Sequence, residues 1–347
     1  MMDKISFVLL CLILLLAAAV APAEDRLSRA TAETLLLYQR DSGGWPKNFE
    51  WDDAVDENKK KELLSQKRRN DTTIDNGATY REISYLARAY ARWKDERYKQ
   101  AALRGIAFLL KAQYDNGGWP QYYPDARGYS RHITFNDNAM IGVMSLLRDI
   151  EHGKPEFGFV DDRTRRKAAE AIEKGIDCIL KCQIVVKGVK TVWCAQHDEK
   201  TLEPQKARSY ELASLSGAES VKIVRFLMMI DNPTRQVAEA IESAVAWFEK
   251  AKISGIRVEG VEDVSKPGGR DRIVVRDASA PPMWARFYEI ETNRPFFCSR
   301  DGVPKYRLSE ISHERRTGYS WLGHYAESLL EKEYPAWRKK WARNRGT

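Results

Sequence analysis

Apolar residues recur at helical spacing in one segment after another along this chain. The pattern predicts helices over residues 26–39, 78–94, 101–114, 139–150, 163–181, 213–229 and 236–251. In the second of these, Tyr80, Ile83, Leu86, Ala87 and Tyr90 form the apolar stripe. The breaks between segments repeat as well. Residues 26–39 run into Asp41-Ser42-Gly43-Gly44-Trp45-Pro46, and residues 101–114 run into Asp115-Asn116-Gly117-Gly118-Trp119-Pro120, 74 positions later. Glycine stops a helix and proline cannot continue it. A third, degraded copy follows at the same interval, where a helix ending at Cys178 to Gln183 precedes Trp193 without the Gly-Gly and Pro. A fixed period with two helices per interval predicts stacked helical hairpins, an (α/α) toroid whose repeats bury a shared apolar layer. Beyond residue 254 the pattern changes. Two β-branched runs, 255–261 and 272–275, flank Ser265-Lys266-Pro267-Gly268-Gly269 and predict a small β-hairpin. Helix is expected to restart at Pro281-Pro282-Met283-Trp284 and again after Gly318-Tyr319-Ser320-Trp321, running through Glu331.

Composition adds a compartment. Lys4, an apolar run over residues 5–20 and Ala21-Pro22-Ala23 have the form of a cleaved export signal over residues 1–23. That leaves a single domain over residues 24–347, secreted or periplasmic and expected to be a monomer. With 43% hydrophobic residues, 10 Trp, 15 Tyr and 11 Phe, it can build a large core. The net charge of +8 suits an anionic partner without saying which. The basic, aromatic tail around Trp337-Arg338-Lys339-Lys340-Trp341 reads as a solvated helix end, not a nucleic-acid contact. Cys178, Cys182, Cys194 and Cys298 have no CxxC spacing, which argues against structural zinc; one distant disulfide or four buried thiols remain open.

Three clusters carry candidate chemistry. Asp75-Asn76 and Asp137-Asn138, 62 residues apart, each stand at the mouth of a helix. They are either helix caps or paired carboxylates aimed at a hard cation such as Ca2+. The second cluster is Trp193-Cys194-Ala195-Gln196-His197-Asp198 with Pro204-Gln205-Lys206-Ala207-Arg208-Ser209-Tyr210-Glu211. There Arg208 could bind an anion with Glu211 orienting it, or Ser209 could cap a helix with the charges in solvent. The third holds Arg294, Arg300, Arg315 and Arg316 among aromatics, a combination suited to carboxylates and sugar faces, although Arg315 and Arg316 read first as an ion-paired corner. No G-x-S-x-G, H-E-x-x-H, P-loop or G-x-G-x-x-G is present.

Taken in order, Gly-Gly-Trp-Pro-Lys, Thr73-Ile74-Asp75-Asn76, Phe135-Asn136-Asp137, Pro204-x-x-Ala207-Arg208-x-Tyr210-Glu211 and Arg300-Asp301-Gly302 followed by Glu314-Arg315-Arg316-x-Gly318-Tyr319-x-Trp321 resemble family 10 of the polysaccharide lyases, the pectate lyases with an (α/α)3 toroid. The resemblance covers about residues 30–335. It implies cleavage of α-1,4-linked polygalacturonate by Ca2+-assisted β-elimination, giving unsaturated oligogalacturonides. It further implies Asp75 and Asp137 as Ca2+ ligands, Asp137 and Arg208 as catalytic residues with Arg208 the base, and a second substrate arginine at Arg294 or Arg300. Asn136, Trp193, His197 and Lys206 complete the expected substrate contacts. Two other readings fit parts of the pattern: a glycoside hydrolase on a similar toroid, needing two carboxylates and no metal, and a non-catalytic protein that binds acidic polysaccharide.

Overall fold

The computed structural model describes residues 27–51 and 55–344; the expected export signal lies outside them. The helices follow one another as α1 (Arg29–Tyr38), α2 (Glu57–Ser65), α3 (Tyr80–Trp93), α4 (Glu96–Ala112), α5 (Ala139–Glu151), α6 (Asp162–Cys182), α7 (Glu219–Met228), α8 (Arg235–Lys250), α9 (His313–Gly318) and α10 (Tyr334–Asn344). Three antiparallel hairpins, α3–α4, α5–α6 and α7–α8, make the body, a helical toroid. The first members touch in series as an inner row, and the second members do the same as an outer row that α1 extends. Sequence explains the layering. The helix α5 is apolar nearly all round, with Met140, Ile141, Val143, Met144, Leu146, Leu147 and Ile150 buried, whereas α4, α6 and α8 keep a wet face.

The two rows also begin differently. Ser28, Asp56, Asp95, Asp161 and Thr234 cap α1, α2, α4, α6 and α8 by accepting a hydrogen bond from a first-turn amide. The inner helices α3, α5 and α7 have no side-chain cap.

Tryptophan and glutamine lock each hairpin to the next. Trp45 and Trp119, fully buried, donate their indole N–H to Leu35 and Leu109 carbonyls at the ends of α1 and α4, at 2.8 and 2.9 Å. Trp193 does the same to Ile179 at 2.7 Å, so the degraded third copy is a true repeat. Its partner lies 14 positions back instead of 10 because a tight hairpin, Val185–Val186 against Val189–Lys190, is inserted there. A fourth copy, Trp284 on the Phe248 carbonyl at 2.9 Å, had no motif to betray it. Gln39, Gln113 and Gln183, each just past its helix, donate to the following loop and across to Ala101, Ala171 and Ala240 of the next outer helix. The glycines have a packing reason too. At Gly43 and Gly117 (φ +98° and +90°) a Cβ would lie 2.5 and 2.0 Å from a backbone carbonyl oxygen of the neighbouring outer helix.

The expected β-hairpin is present as Ile256–Glu262 paired antiparallel with Arg270–Arg276. Three expectations need correction. Residues 213–218 are not helical; Leu215–Ser216 pairs with Phe287–Tyr288, and α7 starts only at Glu219. Residues 281–284 do not restart a helix, since Trp284–Ala285 pairs with Leu322–Gly323. The final helical segment starts at Glu327, later than expected after Trp321, passes through a π-turn over Leu329–Glu333 and continues as α10 from Tyr334, beyond Glu331. Among the described residues the four cysteines, Cys178, Cys182, Cys194 and Cys298, are buried free thiols. Among the described residues, no helix is long and apolar enough to cross a membrane.

Candidate active site

The uncapped starts of the inner helices carry the acids. Before α3, Asp75–Gly77 forms a single 3-10 turn; before α5, Asn136–Asn138 forms another, and the two turns pack together. Neither aspartate caps a helix, so the capping alternative fails. The two corners share one backbone shape, with Asn76 at φ 52°, ψ 29° and Asp137 at φ 50°, ψ 30°. This equivalence corrects the sequence pairing. Asp75 corresponds to Asn136, and Asn76 to Asp137, so the acid sits one step later in the second corner. Asp75 is buried and Asp137 is 39% exposed at its side chain.

The environments of the two carboxylates differ accordingly. Lys47, from the Gly-Gly-Trp-Pro-Lys loop, ion-pairs with Asp75 Oδ2 and lies over the Tyr122 ring at 5.6 Å. Asp75 Oδ1 is buried without a hydrogen-bond partner among the described residues, and so is Asn138 Oδ1. Asp137 Oδ2 accepts from Asn136 Nδ2 at 2.9 Å, while Asn136 Oδ1 accepts from Thr134 at 2.5 Å and Gln196 at 3.2 Å. Asn136 is thus a buried brace for Asp137 and not a surface contact. Asp75 Oδ1, Asn138 Oδ1 and the Asp137 carboxylate are oxygen donors of the kind a hard divalent cation takes. A separate trio, His132, Asp198 and Glu199, has ligand atoms within 4.8 Å of one another. There Glu199 is already paired with Arg131 at 2.8 Å and with His132 at 3.1 Å.

An arginine the sequence did not single out joins the acids to the cationic side. Arg286, only 13% exposed at its side chain, ion-pairs with buried Glu219 of α7 and lies 3.5 Å from Asp137 Oδ1. Burial works against its charge, but Glu219, Tyr319 and Asp137 outweigh that and raise its pKa above the ordinary arginine value. Its guanidinium sits 4.7 Å from the centre of the Tyr319 ring, and that ring also receives Arg208, at 5.9 Å. Arg208 is held by Glu211 through Nε at 2.7 Å and Nη2 at 2.5 Å, which raises its pKa. Burial disfavours the Glu211 carboxylate, yet bonds from Arg208 and Tyr319 prevail and lower its pKa. Ser209 caps no helix, since the next helix, α7, begins only at Glu219.

The remaining candidates divide. Arg300 stands 5.6 Å from the Tyr210 ring, which also receives Arg208 at 4.9 Å and Arg315 at 4.5 Å. Arg294 instead stacks on Tyr306 at 3.3 Å, outside the Tyr210–Tyr319 group, so of the two arginines Arg300 is the one beside Arg208. Arg316 is the ion-paired corner expected, bonded to Asp271 at 2.6 and 2.7 Å. Lys206 is exposed on the Arg208 loop. His197 and Trp193 are corrections: both are fully buried. His197 Nδ1 is 2.8 Å from the Leu202 carbonyl and Nε2 accepts from the Cys194 amide at 3.1 Å; burial pushes its pKa down to about 4. Neither ring has an atom to offer a substrate.

A model of the pectic acid lyase family matches residues 39–330. A family 10 polysaccharide lyase from Cellvibrio cellulosa is 37% identical, with a TM-score of 0.76 over 88% of this chain and 91% of that one. An aspartate-to-alanine mutant of a family 10 polysaccharide lyase from the same organism, in complex with trigalacturonic acid, is 38% identical, with a TM-score of 0.75 over 86% of this chain and 90% of that one. No curated protein matches. The ordered motifs, the toroid and these likenesses agree, and the chain belongs to the pectic acid lyases, family 10 of the polysaccharide lyases.

Proposed function

We propose that this pectate lyase cleaves α-1,4-linked polygalacturonate by Ca2+-assisted β-elimination. In this reading Asp75 and Asp137 hold the cation, Arg208 takes the C5 proton, and Arg300 and Lys206 engage the substrate's carboxylates. The observation that carries it is the Tyr319 ring, which has Arg208 and Arg286 on it while Arg286 reaches Asp137. One ring and one guanidinium thus link Arg208 to Asp137, which supports a shared site for acid and base. The C5 proton of a uronate is weakly acidic, because removing it builds negative charge beside a carboxylate. Bound Ca2+ would offset that charge. Asn136 holds Asp137 in place, and Asp75 Oδ1 and Asn138 Oδ1 offer oxygens that no donor among the described residues occupies. Arg208 must be neutral to act as a base, whereas Glu211 favours its charged form. Neighbouring Arg300, Arg315 and Arg286 oppose Glu211, and an alkaline optimum follows. The positive surplus favours capture of a polyanion. An exported, monomeric protein of one domain over residues 24–347 fits this role.

Incubation with polygalacturonate and Ca2+ at alkaline pH should raise ultraviolet absorbance as unsaturated ends form, and EDTA should stop it. Asp137→Ala should abolish the Ca2+-dependent rate with the circular dichroism spectrum intact. No rise under any of these conditions sinks the proposal; activity that survives EDTA without unsaturated ends points to a hydrolase.

A further inference from the structure

Arg208 has three side-chain nitrogens, and the protein commits two of them. Nε and Nη2 both donate to Glu211, at 2.7 and 2.5 Å, while Nη1 has no hydrogen-bond partner among the described residues. Glu211 in turn cannot swivel. Its Oε2 also accepts from the Arg208 main-chain amide at 3.2 Å, and its Oε1 from the Tyr319 hydroxyl at 2.7 Å. The carboxylate thus has four donors and is 10% exposed at its side chain. The other groups facing the Arg208 guanidinium are the rings of Tyr210 and Tyr319 and the cations that share those rings, Arg286, Arg300 and Arg315.

We propose that Glu211 and Tyr319 are the positioning residues of Arg208: they fix Nε and Nη2 and leave Nη1 as the nitrogen that takes the substrate proton. This rests on the reading of Arg208 as the base. As the C5–H bond breaks, its proton bonds to Nη1 and its electron pair forms the C4–C5 double bond. The C4–O bond breaks in the same elimination, and the departing oxygen takes a proton from water. Arg208 then returns its proton to hydroxide before the next turnover.

The two positioning residues act on Arg208 with opposite sign, which makes the arrangement testable. Glu211 stabilises the protonated guanidinium by its charge. Tyr319 donates to Glu211 and so draws part of that charge away from Arg208. In Glu211→Gln, the rising alkaline flank of kcat/KM on polygalacturonate should move toward neutrality by about one pH unit or more, with a lower plateau because the fork is looser. In Tyr319→Phe, which keeps the ring under both arginines, the flank should move the other way, to higher pH. Melting curves of each variant check that it folds, and Tyr319→Phe alone carries the sign test if Glu211→Gln does not. Flanks that stay in place, or that move in the same direction, overturn the proposal and leave Glu211 and Tyr319 structural. A parallel Arg208→Ala separates the two levels. If it is inactive while the flanks do not move, only the positioning role fails; if it keeps more than about one tenth of the wild-type rate, below the loss typical of a missing general base, the base assignment fails and the positioning role with it.

Discussion

Replacing Arg286 by methionine tests whether the ion pair beneath the site carries weight. The side chain is 13% exposed and Glu219, its partner, 4% exposed, so water screens neither charge well. Methionine keeps most of the aliphatic length over Tyr319, so the packing loss is small. What remains is Glu219, a buried carboxylate without its cation. Removing one member of such a pair costs about 3–5 kcal/mol. Glu219 retains the Ser216 hydroxyl as a donor to its carboxylate, which argues for the lower end, about 3 kcal/mol. For a chain of this size, at about 2 cal/mol/K of unfolding entropy per residue, that corresponds to a fall in Tm of roughly 4–5 °C, readable by circular dichroism melting or as a lower urea midpoint. Glu219→Gln on the Arg286→Met background should recover most of the loss, since the uncompensated charge is gone and Ser216 still has an acceptor. A cost below about 1 kcal/mol, the range of exposed ion pairs, or a double variant no more stable than the single one, would refute the reasoning.

His197 makes stability pH-dependent. Its folded pKa of about 4 lies below the ordinary histidine value, so the unfolded chain binds the proton first as pH falls. Its contribution is complete above about pH 6.5 and is lost progressively toward pH 4, by roughly 3 kcal/mol in all; urea midpoints across that window should flatten in His197→Gln, and a wild type without this slope would contradict the neutral buried ring. Gln183→Leu strips donors from the Thr191 and Ala240 carbonyls and should destabilise by about 1–3 kcal/mol for each carbonyl left dry; a variant that melts with the wild type would mean apolar packing alone joins these hairpins. Raising ionic strength from roughly 0.01 to 1 M shortens the screening length from about 30 to about 3 Å, so KM for polygalacturonate should rise while Tm barely moves; a salt-independent KM would remove long-range charge from substrate capture.

How far the sequence reached depended on whether a residue's role was local. The Gly-Gly-Trp-Pro units were legible because their constraint is severe: a carbonyl of the next helix approaches where a Cβ would stand, and only glycine fits. The third copy was dimmed by an inserted hairpin, and the fourth kept only Trp284, which no period could flag. The hairpins themselves were visible as stripes, but the ends of α7 and α10 were not. Residues 213–218 and 281–285 are apolar enough for helix, and their pairing with distant strands overrode that preference. His197 and Trp193 went astray for a related reason. In the short irregular strand Gln196–His197, set against Ile133–Thr134, both positions face inward, and no alternation announces it. Arg286 was invisible in principle, since its meaning comes from Glu219, 67 positions away, and Asp137, 149 positions away.

The contrast between the two helical rows explains why chemistry sits where it does. A side chain that caps a helix has committed its oxygen to the backbone, as Asp56, Asp95 and Asp161 have in α2, α4 and α6. An acid destined for a cation or a substrate cannot be used that way. The inner helices forgo caps, and their entry turns take conformations that ordinary residues resist: φ is positive at Asn76, Thr79, Asp137 and Asn138. A β-branched residue at φ 72° is the costliest of these, on the order of 1–3 kcal/mol. Something must hold it there. Thr79 Oγ1 accepts the amide of Trp45 at 3.0 Å and donates to the Thr73 carbonyl at 2.8 Å, which ties the strained turn to the tryptophan that closes the preceding repeat. Ser220 ties the start of α7 to its own tryptophan, bonded to both the amide and the carbonyl of Trp193, although no residue there has positive φ. The outer row thus supplies the stability that lets the inner row keep its carboxylates free. Because a common corner fixes only the path of the backbone, the acid can occupy a different step in each repeat: Asp75 in the first, Asp137 one later, and Glu219, just before Ser220, in the third.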